Sequence, residues 1–433
     1  MESKSNNNDL GQPNIVFIYA DDWGWGDLSW HNNPKVETPN LERLKEEGTE
    51  FYQFNVANPS CSPSRASVLT GHYPSRHGIY LAIGDKEKNE KYNQVDFLDP
   101  EVTMLPRLLQ KAGYKTGHFG KWHLTFKDFD DVAPLPKDYG YDETAVFMGP
   151  GRSTTHVQLF DDAIDFIRRN QDNPFFVNVW IHETHVAHHP TEESMTKFSH
   201  LDEQQQVYSA VVWDADRRIG KILQTLEDLG LEDDTIVIFS SDNGPEDTGS
   251  PEQRYRGTGY FTYYAVGSTD GMKGRKRSLF EGGVRLPFII KWPGHTPEGD
   301  VNKDTVLSSV DLLPTFCAIA GVKLPDDYQP DGENMLSAFL GNKIKRSRPL
   351  FWEWPGSKRG PNWPRLAIRD GRWKLAMTYD EDKIELYNVE RDRDEKENVA
   401  DEYPEVVERL KYKLSNWNDN LPNKVETNYD VAK

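Results

Sequence analysis

Apolar residues recur along this chain in two rhythms. Asn14–Ala20 is a β-rich run bounded by Pro13 and Asp21, and it reads as a buried strand. Phe175–Ile181, Thr235–Ser241 and Leu286–Trp292 share that texture, and the short run Lys115–Phe119 predicts a further strand. Between them lie stretches of helical spacing. Residues 39–47 have Thr38 at the N-cap, Pro39 at the first position and Gly48 beyond the end; 103–112 repeats the pattern with Gly113 as its stop. A longer stretch, 204–229, ends at Gly230. This alternation predicts an α/β fold with a large mixed, mostly parallel sheet flanked by helices. Beyond about residue 345 the texture changes. Leu366–Ile368 and Trp373–Leu375 flank Asp370-Gly371, a strong hairpin signal, followed by a short strand at 384–389 and an amphipathic helix at 404–414. The expected division is a disordered lead-in over 1–12, an α/β domain over 13–345, and a smaller α+β subdomain with an antiparallel sheet over 346–433.

In open α/β sheets, ligands bind outside the carboxyl ends of the strands. Four polar clusters fall at such ends: Asp21-Asp22, Lys121-Trp122-His123, His182 to His185, and Asp242-Asn243-Gly244. Asp21, Asp22, Asp242 and Asn243 offer hard oxygen donors suited to Ca²⁺ or Mg²⁺. Either pair alone fits ordinary turn chemistry, but both pairs after similar strands favour a metal site. Pro63 and Ser60 predict a helix starting at Cys61, whose N-terminus attracts anions, with Arg65 on the same face. A packed cysteine beside a surface arginine is the competing reading. A zinc-protease pattern fails because Val186 stands where the second histidine belongs. His188 and His189 read as solvent-facing loop residues, while one or two of the other histidines suit acid–base work. Lys273, Arg275, Lys276 and Arg277 form a basic island beside Glu281-Gly282-Gly283.

Composition narrows the field. A net charge of −19 over 433 residues excludes nonspecific nucleic-acid binding, so any attraction for an anion has to be local. Two cysteines are too few for a disulfide scaffold, and Cys317 sits in an apolar stretch as a buried small hydrophobe. No apolar run approaches the roughly 20 residues of a membrane span. Met1–Leu10 is polar and carries no signal-peptide core.

The ordered set Asp21-Asp22-Trp23-Gly24, Cys61-Ser62-Pro63-Ser64-Arg65, Gly120-Lys121-Trp122-His123, Ser241-Asp242-Asn243-Gly244 and Glu281-Gly282-Gly283 resembles the type I sulfatases of the alkaline-phosphatase superfamily. The Cys-x-Pro-x-Arg element is the most specific part, because in that family it directs oxidation of the cysteine to formylglycine. The resemblance implies that Cys61, so modified by a formylglycine-generating enzyme, is nucleophile and metal ligand through its hydrate, with a sulfo-enzyme intermediate. It implies that Asp21, Asp22, Asp242 and Asn243 hold one Ca²⁺. Arg65 and Lys121 would orient and activate the hydrate, and His123 would contact it and help regenerate it. His185 would protonate the leaving alcohol and Lys276 would grip the sulfate. His182 rivals His185, since Thr184 stands where the family usually has proline; Lys273 rivals Lys276, whose flanks are Arg275 and Arg277. The implied substrate is a sulfated sugar or polysaccharide, with a texture like sulfatases of N-acetylhexosamine 6-sulfates, and the implied place is periplasmic or secreted. Trp352, Trp354 and Trp363, interleaved with Arg359 and Arg365, suit stacking on sugar rings or filling a domain interface. A phosphoester or phosphonate hydrolase on the same scaffold and a silent sulfated-glycan-binding protein are the alternatives.

Overall fold

Eight strands form the central sheet: β1 (Asn14–Ala20), β2 (Thr49–Phe51), β3 (Lys115–Lys121), β4 (Glu143–Phe147), β5 (Phe175–Trp180), β6 (Thr235–Ser241), β7 (Phe288–Lys291) and β8 (Asp300–Asn302). The computed structural model describes residues 10–126, 133–246, 254–256, 261–263, 266–356 and 363–422. The order across the sheet is β8-β2-β7-β6-β1-β5-β3-β4. All neighbours pair parallel except β7, which runs antiparallel to both β2 and β6. Side chains alternate across the pleat. Ile15, Phe17 and Tyr19 of β1 enter one core, and Val16, Ile18 and Ala20 enter the other. A sheet buried on both faces explains why its inner strands read as near-continuous apolar runs.

Two expectations shift. The predicted strand Leu286–Trp292 is broken: Arg285–Leu286 pairs with Phe54–Asn55 in a small separate sheet, and only β7 joins the main one. Pro287 sits at the break, where it has no N–H for a ladder; its carbonyl accepts from Ser240 Oγ at 2.8 Å. The helix expected over 103–112 spans Leu105–Lys111, with Pro106 in its first turn.

The C-terminal region forms a four-stranded antiparallel sheet of β9 (Leu350–Glu353), β10 (Leu366–Asp370), β11 (Trp373–Met377) and β12 (Ile384–Asn388), closed by the helix Pro404–Asp419. The hairpin forms as expected but turns at Gly371-Arg372, one residue later than the Asp370-Gly371 signal, because Asp370 still pairs with Trp373. This sheet shares apolar cores with the α/β region, since Leu350, Trp352 and Trp354 join one cluster of the large core. Of the two readings of the tryptophans, this decides for the interface at Trp352 and Trp354. Trp352 and Trp354 are each 1% exposed, and the Trp352 indole N–H donates to Val56 O at 2.7 Å. Trp363 packs by the Phe280–Tyr387 cluster beneath Lys383, and Arg359 lies outside the described residues. Trp352→Ala is therefore expected to destabilise the chain by about 3–5 kcal/mol, read as a lower denaturant midpoint. An unchanged midpoint would contradict its placement in the shared core.

Candidate active site

The parallel strands deliver four of the polar clusters to one rim. Asp21 and Asp22 follow β1, Asp242 and Asn243 follow β6, His182 follows β5 and Lys121 ends β3. Backbone bonds fix them there: Asp242 N donates to Ala20 O at 3.0 Å, and Asp22 N donates to Asp242 Oδ1 at 3.2 Å. Asp22 and His123 have φ of 64° and 52°, a left-handed backbone that non-glycine residues adopt at a cost and that clusters at functional sites.

Across this rim lies the helix Cys61–Thr70, whose every residue is buried. Small serines allow that burial because their hydroxyls bond locally. Ser62 Oγ accepts Ile83 N at 2.9 Å, and Ser64 Oγ donates to Asn58 O at 2.5 Å. The helix sets Cys61 at its N-terminus with Sγ 3.5 Å from Asp21 Oδ1. Burial pushes the Cys61 thiol up to about 12, so as cysteine it is no thiolate at neutral pH. Arg65 is fully buried, not a surface residue. Its Nε and Nη2 donate to Asp242 Oδ2 at 3.0 and 2.7 Å, with the guanidinium 4.9 Å from the Trp180 ring centroid.

The remaining cations and carboxylates are paired in a graded way. Lys121 Nζ donates to Asp21 Oδ2 at 2.6 Å, an oxygen that also bonds His182 Nδ1. Burial opposes ionisation of Asp21, yet Lys121 and the two histidines hold its carboxyl well below the usual range. Lys276 Nζ grips both oxygens of Asp22 at 2.5 and 2.6 Å, but burial, with Asp21 and Asp242 nearby, still pushes Asp22 up to about 7. Burial and Asp21 also raise Asp242. Three buried carboxylates crowd one another, which a cation would relieve.

The donor set fits a hard metal. Asp21, Asp22, Cys61 and His185 each offer a ligand atom within 4.8 Å of the others. Among the described residues Asn243 Oδ1 is buried with no hydrogen-bond partner, an oxygen available to a cation, while Nδ2 donates to Asp22 Oδ1 at 2.7 Å.

A cavity of about 540 Å³ opens on this cluster, lined at its inner end by Cys61, His123, His185, Lys276 and Arg277. Both pairs of rivals separate here. His185 lines the cavity, with Nε2 3.8 Å from Asp22 Oδ2, whereas His182 stacks behind it at 4.4 Å between centroids. Lys273 turns away to the C-terminal sheet, where Nζ meets Tyr387 OH at 2.8 Å and Glu385 at 3.2 Å. His188 is 3% exposed rather than solvent-facing, bonding Thr184 O at 3.1 Å; His189 is half-buried and stacked on His156.

Glu281-Gly282-Gly283 carries the Lys276 loop. A Cβ on Gly283 would meet Ser278 O at 2.0 Å, and Glu281 is anchored by Lys374 at 2.8 Å. Sequence reasoning had only placed Arg277 in a charge run. It reaches the cavity paired to both oxygens of Glu246, with its N donating to Pro59 O at 2.8 Å. The outer cavity wall at Asp85, Lys88, Lys91 and Tyr92 was also missed, because its charged helix Lys86–Lys91 matches no motif.

The sulfatase family profile matches residues 13–322, and a profile for the C-terminal part of N-sulphoglucosamine sulphohydrolase matches 271–420. N-acetylgalactosamine-6-sulfatase of Homo sapiens is 34% identical over 373 residues, covering 78% of this chain and 68% of the relative. N-acetylgalactosamine-6-O-sulfatase of Bacteroides thetaiotaomicron is 28% identical, covering 94% of this chain and 93% of the relative. Among solved structures, Ps i-CgsB in complex with k-i-k-neocarrahexaose shares the fold with a TM-score of 0.81 at 24% identity, over 97% of this chain and 96% of that one.

Proposed function

The chain belongs to the sulfatase family and is a sulfuric ester hydrolase, and from that premise we propose that it removes sulfate from a sulfated carbohydrate at the Cys61 cavity. The observation carrying this reading is the convergence of Cys61, His123, His185, Lys276 and Arg277 on one cavity beside the buried Asp21–Asp22–Asp242–Asn243 cluster. Sulfate esters resist nucleophiles because their oxygens repel them, so a site of fixed cations is what the chemistry requires. Lys276 and Arg277 bind the sulfate oxygens. Lys121 and Arg65, locked on Asp21 and Asp242, keep the nucleophile's position electropositive and dry. His185, once protonated to the imidazolium, gives that proton to the departing alcohol oxygen, with His182 stacked behind it as a positioning residue. His123, held through Nε2 to Ile83 O at 3.1 Å, sits by Cys61 to assist its regeneration.

Formylglycine made from Cys61 by a formylglycine-generating enzyme supplies a hydrated aldehyde as nucleophile in place of a protonated thiol. Asp21, Asp22, Asp242, Asn243 and the modified residue would hold Ca²⁺, which would supply charge neutralisation at the sulfate oxygens. The substrate class follows the two N-acetylgalactosamine 6-sulfatase relatives, and export to the periplasm or exterior, where such polymers occur, completes the reading.

Matured protein is expected to release sulfate from N-acetylgalactosamine 6-sulfate, and to turn over aryl sulfate far better than aryl phosphate. Preference for the phosphate would overturn the reading in favour of phosphoester hydrolysis. Metal has a second readout. Adding Ca²⁺ to chelated protein is expected to raise its melting temperature, with stabilisation of about 2.7 kcal/mol at a hundred times Kd. No shift up to about 1 mM Ca²⁺ would contradict the assigned ligands.

A further inference from the structure

A second hollow, of about 660 Å³, is lined by Tyr52, Arg285, Lys303, Lys343, Lys345 and Arg393, with Asp304 and Glu390 as its carboxylates. Five cations against two carboxylates is an inverted balance for a chain of net charge −19. The hollow shares the rim that carries Cys61. Tyr52 follows β2, Lys303 follows β8, and Arg285 lies just before the antiparallel β7. β2 stands three places from β1, a lateral offset of roughly 15 Å at ordinary strand spacing.

Its cations are incompletely neutralised. Lys343 pairs with Asp304 at 2.6 Å, and Arg393 with Asp270 at 3.0 Å and Asp394 at 3.3 Å. Among the described residues, neither Lys303 nor Lys345 has a carboxylate partner; Lys303 Nζ instead lies 5.0 Å from the Tyr52 ring centroid. Arg285 sits 5.8 Å from that ring, held by Tyr52 O at 2.9 Å and paired with Glu281 at 3.4 Å. Behind them Arg369, 2% exposed, bonds Gln53 and leaves Nη1 without a hydrogen-bond partner. Burial, with the crowding of Arg369 and Arg393, pulls the Arg285 guanidinium down to about 10. Like charges gathered this closely repel one another, and a bound polyanion relieves that repulsion while releasing counterions.

We propose that this hollow is a second binding site for sulfated polysaccharide, holding the polymer several sugar residues from the one at Cys61. The proposal rests on reading the substrate as a sulfated carbohydrate. A chain of net charge −19 disfavours a long polyanion away from its basic sites, so an enzyme acting on one gains from a second local foothold along the same rim.

Binding of dextran sulfate to the full chain, measured calorimetrically across a salt series, tests this without relying on turnover. Lys303→Ala/Lys345→Ala is expected to weaken binding about tenfold and to flatten the salt slope by about 1–2. Lys111→Ala/Lys115→Ala removes the same charge from exposed positions at the opposite rim and is expected to leave affinity unchanged. No loss in the first variant, or equal loss in both, would overturn the proposal. Binding of poly(dT) as tight as that of dextran sulfate would overturn it too, assigning the hollow to nucleic acid. If the sulfated-carbohydrate reading alone is wrong, the matured protein will leave sulfated sugars uncleaved while this binding pattern persists.

Discussion

Cys61→Ala is expected to lower sulfate-ester turnover by at least about 10⁴-fold, as loss of a nucleophile does when the rest of the site remains. The side chain is 2% exposed and its helix is held by serine hydroxyls and by Arg65, none of which the substitution touches. Circular dichroism and melting are thus expected to stay close to wild type, which separates chemistry from folding. Cys317 supplies the control. It is equally buried, at 1% exposure, but packs in the apolar core away from the cavity, so Cys317→Ala is expected to change kinetics little. Turnover surviving in Cys61→Ala would remove the nucleophile from this account.

Lys276→Ala carries the second large effect, a loss of about 10²–10³ in kcat/KM, the range seen when one group that binds developing negative charge is removed. Its ammonium lines the cavity and is buried, so no neighbouring lysine substitutes for it. Lys273→Ala is the discriminating partner. Lys273 lies 3.9 Å from the Phe280 ring centroid and bonds Tyr387, outside the cavity, so the expected effect is a modest loss of stability with kinetics near wild type. The reverse ranking, measured by steady-state kinetics on aryl sulfate, would show that Lys276 serves only as the counter-ion of Asp22.

The central strands were legible because burial on both faces writes itself as continuous apolar runs: β1 and β6 match their predicted bounds. The antiparallel turn of β7 was not, because pairing direction leaves no mark in a short apolar run. Motif spacing named the residues of the cluster, and only coordinates show that His185 and Lys276 line the cavity while His182 and Lys273 do not, since their neighbours in sequence are equally basic or imidazole-rich. Arg65 illustrates the opposite limit. From sequence it is one face of a helix; in the fold it lies between Tyr19, Trp180 and Asp242, contacts more than a hundred positions apart or on another strand. The role of the tryptophans was open in the sequence for a simple reason. Aromatic residues near basic ones suit a sugar platform and a packed interface alike, and burial alone decides. The cavity wall at Asp85, Lys88, Lys91 and Tyr92 was invisible because ordinary charged and aromatic residues outside any motif build it.

The account rests most heavily on the chemical state of Cys61, so peptide mass spectrometry of that residue in turnover-competent protein tests it directly. The predicted result is a mass about 18 Da below that of the unmodified cysteine peptide, the change from thiol to aldehyde. An intact thiol at Cys61 in protein that still cleaves sulfate esters would contradict the mechanism.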